Sequence, residues 1–269
     1  MTETATTAQA SPAAGTVRVW VDDDVATVLL DRPGKLNALT PEMLDALDDA
    51  LVTVARSHAR AVVVRGAGPK AFCVGADINL FGGLTAVQMW RDWTAHGHRV
   101  FDALATLRQP TVAVVHGPAF GGGLELALAC DFRVMATEAQ VGLPEVGLGT
   151  VPGWGGTERL TELIGRARAK EVVLARQFVD ADTALTWGLA TKIAPAASLE
   201  TAVDDLVAEL TAGAPVAVQL AKQLIDAAAD GAPSRVLEAL AGGLSSATED
   251  LREGITAFQL RRDPTFRGR

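Results

Sequence analysis

Short runs of aliphatic and β-branched residues, bounded by Gly, Pro or Asp, recur along the first half of the chain at 17–21, 26–30, 61–64, 111–115 and 132–136. Runs of that length and makeup predict strands. Between them, Thr40-Pro41-Glu42 is a helix start, with Thr40 as N-cap and Pro41 at the first helical position, and Leu44, Leu47, Leu51 and Val54 follow at helical spacing. Strands alternating with helices predict an α/β core with parallel pairing. After Val151 the texture becomes helical. Leu160, Leu163 and Ile164 lead to Gly165, read as a C-cap, and no strand is expected over the remaining hundred or so residues. Pro215, Val216, Leu220 and Leu224 form one amphipathic face; Leu251, Ile255 and Phe258 form another behind the cap Thr248. Such faces need a cover, and an oligomer would supply one. The first sixteen residues, Thr, Ala, Ser and Pro with little to bury, read as a tail. The expected division is therefore 1–16 tail, 17–200 core and 201–269 helical segment.

Composition narrows the class of protein. At 269 residues and 49% hydrophobic, the chain is ample for one large globular domain. No apolar stretch approaches the roughly 18 to 20 residues of a membrane-spanning helix, and the N-terminus lacks a basic-then-apolar secretion pattern, so a cytoplasmic location is expected. A net charge of −8 argues against a nucleic-acid-binding face, and no membrane partner is expected. Two cysteines, Cys73 and Cys130, make no disulfide framework and read as small core residues. His96 and His98 are two apart on a helix and face different ways, while His58 and His116 stand alone, so no metal site is expected.

Three stretches carry candidate chemistry. Gly66-Ala67-Gly68-Pro69-Lys70-Ala71 follows a strand and nearly matches a dinucleotide fingerprint, but Pro69 interrupts the turn and no helical pattern follows, which makes it a surface turn. A phosphate loop is excluded because Gly-Lys-Ser/Thr does not occur. The second stretch, Gly121-Gly122-Gly123, runs from a strand directly into a helix. Free N–H groups beside the positive helix end form an anion site, although glycines there also let strand and helix cross closely. Glu125 then places a carboxylate in an apolar run, where a charge is costly unless used or paired. The third stretch, Pro144-Glu145 in a Gly/Pro-bounded apolar loop, adds a second carboxylate. Two acids in apolar surroundings have their pKa values driven apart, so that one donates while the other accepts; taken singly, either is a structural anchor. Trp90 and Trp93, on a helix expected over 85–107, are spaced to share one face, either as core or as the lining of a pocket. The end of the chain, Arg261 to Arg269, is locally basic.

These residues resemble the crotonase superfamily of enoyl-coenzyme A hydratases and isomerases, from about Val17 to the C-terminus. Four motifs agree in order and spacing: Asp31-Arg32-Pro33-Gly34-Lys35-Leu36-Asn37-Ala38-Leu39; Lys70-Ala71-Phe72-Cys73-Val74-Gly75-Ala76-Asp77-Ile78; Gly121 to Glu125 with Cys130-Asp131; and Pro144-Glu145 through Pro152-Gly153-Trp154-Gly155-Gly156-Thr157. The resemblance implies a spiral of ββα units with a C-terminal helical trimerisation segment, assembled as a trimer or a dimer of trimers. It also implies an acyl-CoA thioester substrate that carries its own coenzyme A, with no separate cofactor. By resemblance, the N–H groups of Ala76 and Gly122 form an oxyanion hole for the thioester carbonyl. Glu125 and Glu145 match the paired acids of hydratases, Glu145 expected to activate water and Glu125 to supply the proton at the α-carbon. Lys35, Lys70, Ala76, Asp77 and Ile78 match coenzyme A-binding positions, and Phe258 and Arg261 match positions that contact it from an adjacent subunit. Gly34 departs from members with lysine there, and Val74 and Trp154 replace smaller residues beside the acyl pocket. The expected activity is syn addition of water across a 2,3-double bond. An isomerase or a hydratase-lyase on the same fold is the alternative, and a non-catalytic RNA-binding member is disfavoured by the acidic charge and the two glutamates.

Overall fold

The computed structural model describes residues 15–269. The tail expected at 1–16 lies outside them except for its last two residues, and Thr16 already opens the first strand. The strands expected from apolar runs are present as β1 (Thr16–Asp22), β2 (Val25–Asp31), β3 (Ala61–Gly66), β4 (Thr111–Val115) and β6 (Phe132–Ala136). With β9 (Lys192–Ala194) they form a six-stranded sheet in the order β1-β2-β3-β4-β6-β9. Within this sheet only β1 and β2 pair antiparallel; its other pairs are parallel. β4 is buried at all five positions, as expected of an inner parallel strand covered on both faces.

A second sheet of three short strands, β5 (Ala119–Phe120), β7 (Gln140–Gly142) and β8 (Val179–Asp180), accompanies the first. The chain passes from β4 to β5 and into helix α4 (Gly122–Leu128), then from β6 to β7 and on to helix α5 (Gly156–Leu174). This repeated strand, strand, helix order is the spiral. The absence of strands after Val151 is corrected by β8 and β9: runs of two and three residues are too short to show an alternating pattern. Gly165 keeps its reading as a C-cap: at φ 78°, ψ 160° it ends the first of two helical stretches joined in α5, and a second stretch begins after it.

Helix α1 (Pro41–Arg56) begins as expected, with the Thr40 hydroxyl accepting the Met43 N–H at 3.3 Å, and buries Met43, Leu44, Leu47, Leu51 and Val54. Thr40→Ala is expected to lower global stability by about 1 kcal/mol, the usual value of such a cap, as measured by urea unfolding. The helix expected over 85–107 is composite: α2 (Ala86–Gln88), a π-helical turn (Met89–Thr94) and α3 (Ala95–Ala105). α6 (Ala181–Trp187) leads to β9. α7 (Leu199–Thr211) buries Leu199, Val203, Leu206 and Val207 against the large sheet. α8 (Pro215–Ala229), α9 (Ser234–Ser246) and α10 (Glu249–Leu260) lie further out and leave Ile225, Leu240, Ile255 and Phe258 exposed. Among the described residues no helix is long and apolar enough to cross a membrane.

Candidate active site

The glycines of the triplet differ in what surrounds them. Gly123 serves packing: a Cβ there would lie 1.9 Å from the Cys73 carbonyl oxygen, so only glycine lets α4 sit against the 73–77 segment. Gly122 leaves a backbone donor open. Its N–H is at the open first turn of α4 and has no acceptor among the described residues. The 75–77 segment is anchored on both sides of Ala76, by Leu39 N–H to Gly75 O at 2.8 Å and Asp77 N–H to Leu39 O at 2.9 Å. The Ala76 N–H likewise has no acceptor among the described residues. The two segments abut, because a Cβ on Gly75 would fall 2.9 Å from the Gly122 nitrogen. Two amides without acceptors thus stand on neighbouring, tightly held segments, an arrangement chemically suited to meeting an anion.

Ala76 and Gly122 line one cavity of about 110 Å³ together with Glu125, Glu145, Met89, Trp93 and Trp154. Glu125 is 2% exposed. Its Oε1 accepts the N–H of Trp154 at 2.8 Å and of Gly156 at 2.9 Å. That loop is held in turn by Arg159, which donates to the Trp154 carbonyl at 2.9 Å and pairs with Asp102. Burial raises the Glu125 pKa above the usual carboxylate range, against the pull of the loop amides and the Arg159 charge. Glu145 stands at the start of a 3₁₀ turn (Glu145–Leu148) beside Gly121, and both of its carboxyl oxygens are buried without a protein partner. Burial, reinforced by the negative charge of Glu125, raises its pKa to about 7.

The other residues expected at the site fare differently. Lys35 and Lys70 are exposed on abutting turns, since the Gly68 turn touches Pro33, and the Asn37 side chain ties these turns together by donating to the carbonyls of Ala67, Ala71 and Phe72. Ile78 stands at the cavity wall, more than half exposed. Asp77 presents no free carboxylate. Its Oδ2 accepts from Arg32 at 2.8 Å and its Oδ1 from Asn79, and the Arg32 guanidinium holds its pKa below the usual value. Asp77 is thus a clamp on the Ala76 segment. Phe258 and Arg261 are exposed on and just after α10 and do not line the cavity. The Gly66–Ala71 stretch is a turn with no helix behind it.

Sequence reasoning also missed positions. Trp90 and Trp93 do not share a face: Trp93 is buried at the cavity, while Trp90 is exposed under Arg91. The π turn, whose Ala95 N–H reaches back to Trp90 O, winds more widely than an α-helix and turns Trp90 away from Trp93, while Met89, four positions before Trp93, lines the cavity with it. Arg32 and Asn37 belong to the first motif, yet the contacts by which they hold the 67–77 stretch lie 30 to 45 positions away.

A family model described as enoyl-CoA hydratase/isomerase matches residues 21–269. The chain belongs to that family. It is 38% identical to the short-chain-enoyl-CoA hydratase of Clostridium acetobutylicum, over 87% of this chain and 90% of that one. It is 36% identical to the crotonyl-CoA hydratase of Syntrophomonas wolfei, over 91% and 95% respectively. Among solved structures, the enoyl-CoA hydratase from Bacillus anthracis superimposes with a TM-score of 0.90 at 33% identity, over 94% of this chain and 99% of that one. The fold is therefore that of the crotonase-type hydratases, and the chain is an enzyme of this family.

Proposed function

We propose that the chain is an enoyl-CoA hydratase, a hydro-lyase acting on short 2-enoyl-CoA thioesters, and that Glu125 and Glu145 divide the proton chemistry between them. The activity class rests on family membership and on the named hydratases at 36% and 38% identity. The single observation that carries the catalytic reading is the convergence of two acceptor-free amides and two buried carboxyl groups on one small cavity. A hydratase needs both acids, whereas an isomerase needs one, and the retained pair favours hydration.

The geometry favours the opposite division of labour from the one the motifs suggest. Glu125 is held by two N–H donors, which stabilise a carboxylate, and its negative charge adds to the burial that raises Glu145. In this reading Glu145 carries the catalytic proton and Glu125 acts as the carboxylate. Glu125 then takes a proton from water as the water oxygen bonds to C3, and the π electrons move onto the thioester oxygen. The amides of Ala76 and Gly122 meet that charge, each such donor being worth on the order of 10²- to 10³-fold in rate. The Glu145 carboxylic acid protonates C2. Because both acids act from one cavity, addition is syn, and transfer of the proton from Glu125 back to Glu145 resets the pair. Lys35, Lys70 and Ile78 flank the entrance as contacts for coenzyme A, with the Asp77 clamp beneath them; Phe258 and Arg261, remote from this cavity, serve that of a neighbouring copy in a trimer.

The test is absorbance-monitored hydration of crotonyl-CoA by the wild-type protein across pH. Turnover is expected, with kcat/KM falling on the alkaline side at an apparent pKa of about 7 as Glu145 loses its proton. The limb in kcat lies higher, because bound thioester dehydrates the cavity further. Binding of crotonyl-CoA without turnover would refute the hydratase reading. An alkaline limb missing from kcat/KM would refute the assignment of the proton to Glu145.

A further inference from the structure

The indole of Trp154 closes the back of the cavity. It is 3% exposed, with ring centroids 5.2 Å from Trp93 and 5.1 Å from Phe101. Two helices meet it with glycine. A Cβ on Gly97 of α3 would lie 2.2 Å from the indole Nε1, and one on Gly122 of α4 would lie 2.5 Å from Cζ3. Gly97 sits inside a regular helix, where its backbone has no need of glycine and where glycine costs stability relative to alanine. What the position does require is space, because any side chain would collide with the ring. The slot between α3 and α4 is thus shaped around the indole. The main chain of the same residue holds Glu125, so the site's rear wall and its proton acceptor are one structural unit.

We infer that Trp154 is the residue that sets acyl-chain length: its indole, seated in the gap at Gly97, is a plug that ends the acyl cavity. The inference rests on the hydratase reading of that cavity. With the plug in place the cavity measures about 110 Å³, room for only a short acyl group. Without it, the α3–α4 slot, walled by Trp93 and Phe101, continues the cavity as an apolar channel that accepts a longer unbranched chain. A pocket that gains or loses room for a methylene typically changes discrimination by about 10- to 200-fold.

The experiment compares kcat/KM for four-, eight- and twelve-carbon 2-enoyl-CoA substrates in wild type, Trp154→Ala, Trp154→Phe and Gly97→Ala, and measures binding of saturated octanoyl-CoA by calorimetry. Circular dichroism checks folding. For Trp154→Ala, the ratio of eight-carbon to four-carbon kcat/KM is expected to rise by about 10-fold or more, carried by KM, with tighter octanoyl-CoA binding. Trp154→Phe shifts the same way by less, and keeps the inference testable should the alanine variant not fold. Gly97→Ala drives the ring toward the cavity and depresses turnover of the longer substrates most. Folded Trp154 variants with the wild-type ratio and unchanged octanoyl-CoA affinity would overturn the inference while leaving the hydratase reading intact. Octanoyl-CoA binding that tightens in Trp154→Ala, in a protein that hydrates no enoyl thioester of any length, would leave the plug standing and sink the hydratase reading.

Discussion

Glu145→Gln lowers kcat for crotonyl-CoA hydration by about 10²- to 10⁴-fold, the usual contribution of a positioned acid, and at the same time makes the protein more stable at pH 8. The amide fits the same space but has no proton acidic enough to deliver to C2. The stability gain follows from the same geometry. Both Glu145 oxygens are buried without partners, and the folded-state pKa stands at about 7, above the ordinary 4.5. A carboxyl whose pKa is raised on folding favours the folded state while protonated. It loses that advantage as pH rises from the unfolded value through the folded one, so above pH 7 the ionised wild-type group is a net cost. Removing it returns on the order of 1–3 kcal/mol at pH 8, after allowing for partial solvent screening, and nothing below about pH 4. Urea unfolding at the two pH values, alongside steady-state kinetics, checks both halves. Loss of activity with equal loss of stability at pH 8 would make Glu145 a structural anchor instead of an acid held in strain for function.

The two glutamates were legible because each breaks an apolar pattern, Glu125 within Leu124 to Ala129 and Glu145 within Val141 to Leu148. A polar residue where burial is expected announces itself. The amides of Ala76 and Gly122 were not legible in this way, since every residue but proline carries an N–H; they came from motif resemblance, and what makes them special is the lack of an acceptor, a property of the fold alone. The strands of the large sheet were legible because buried parallel strands are continuous apolar runs, as at Thr111–Val115. β8 and β9 were hidden by their length, and the parting of Trp90 from Trp93 by a π turn whose wider winding defeats 3.6-residue counting at three-residue spacing. Longer-range ties leave still less trace. Nothing near Arg32 in the sequence points to Asp77, forty-five positions on.

That tie carries the second large effect. Arg32→Met is expected to destabilise the fold by about 3–5 kcal/mol and also to slow hydration, because the guanidinium holds the segment that bears the Ala76 amide. Arg32 Nη1 donates to Asp77 Oδ2 at 2.8 Å and to the Ala38 carbonyl at 3.0 Å, and both side chains of the pair are about nine-tenths buried, so the substitution leaves a carboxylate and a carbonyl without their charged donor. An uncompensated buried charge costs more than the pair was worth, which gives the prediction its internal control. Arg32→Met combined with Asp77→Asn removes the stranded charge and should recover part of the stability, giving a coupling energy in a double-mutant cycle. Activity should recover less than stability does, because asparagine with methionine no longer fixes the backbone between Gly75 and Asp77, and a displaced oxyanion donor is felt in the transition state. Urea midpoints and kcat/KM for crotonyl-CoA across the four proteins measure the two quantities separately. Additive stability losses, or full activity in folded Arg32→Met, would show that the Ala76 segment holds its shape without the clamp.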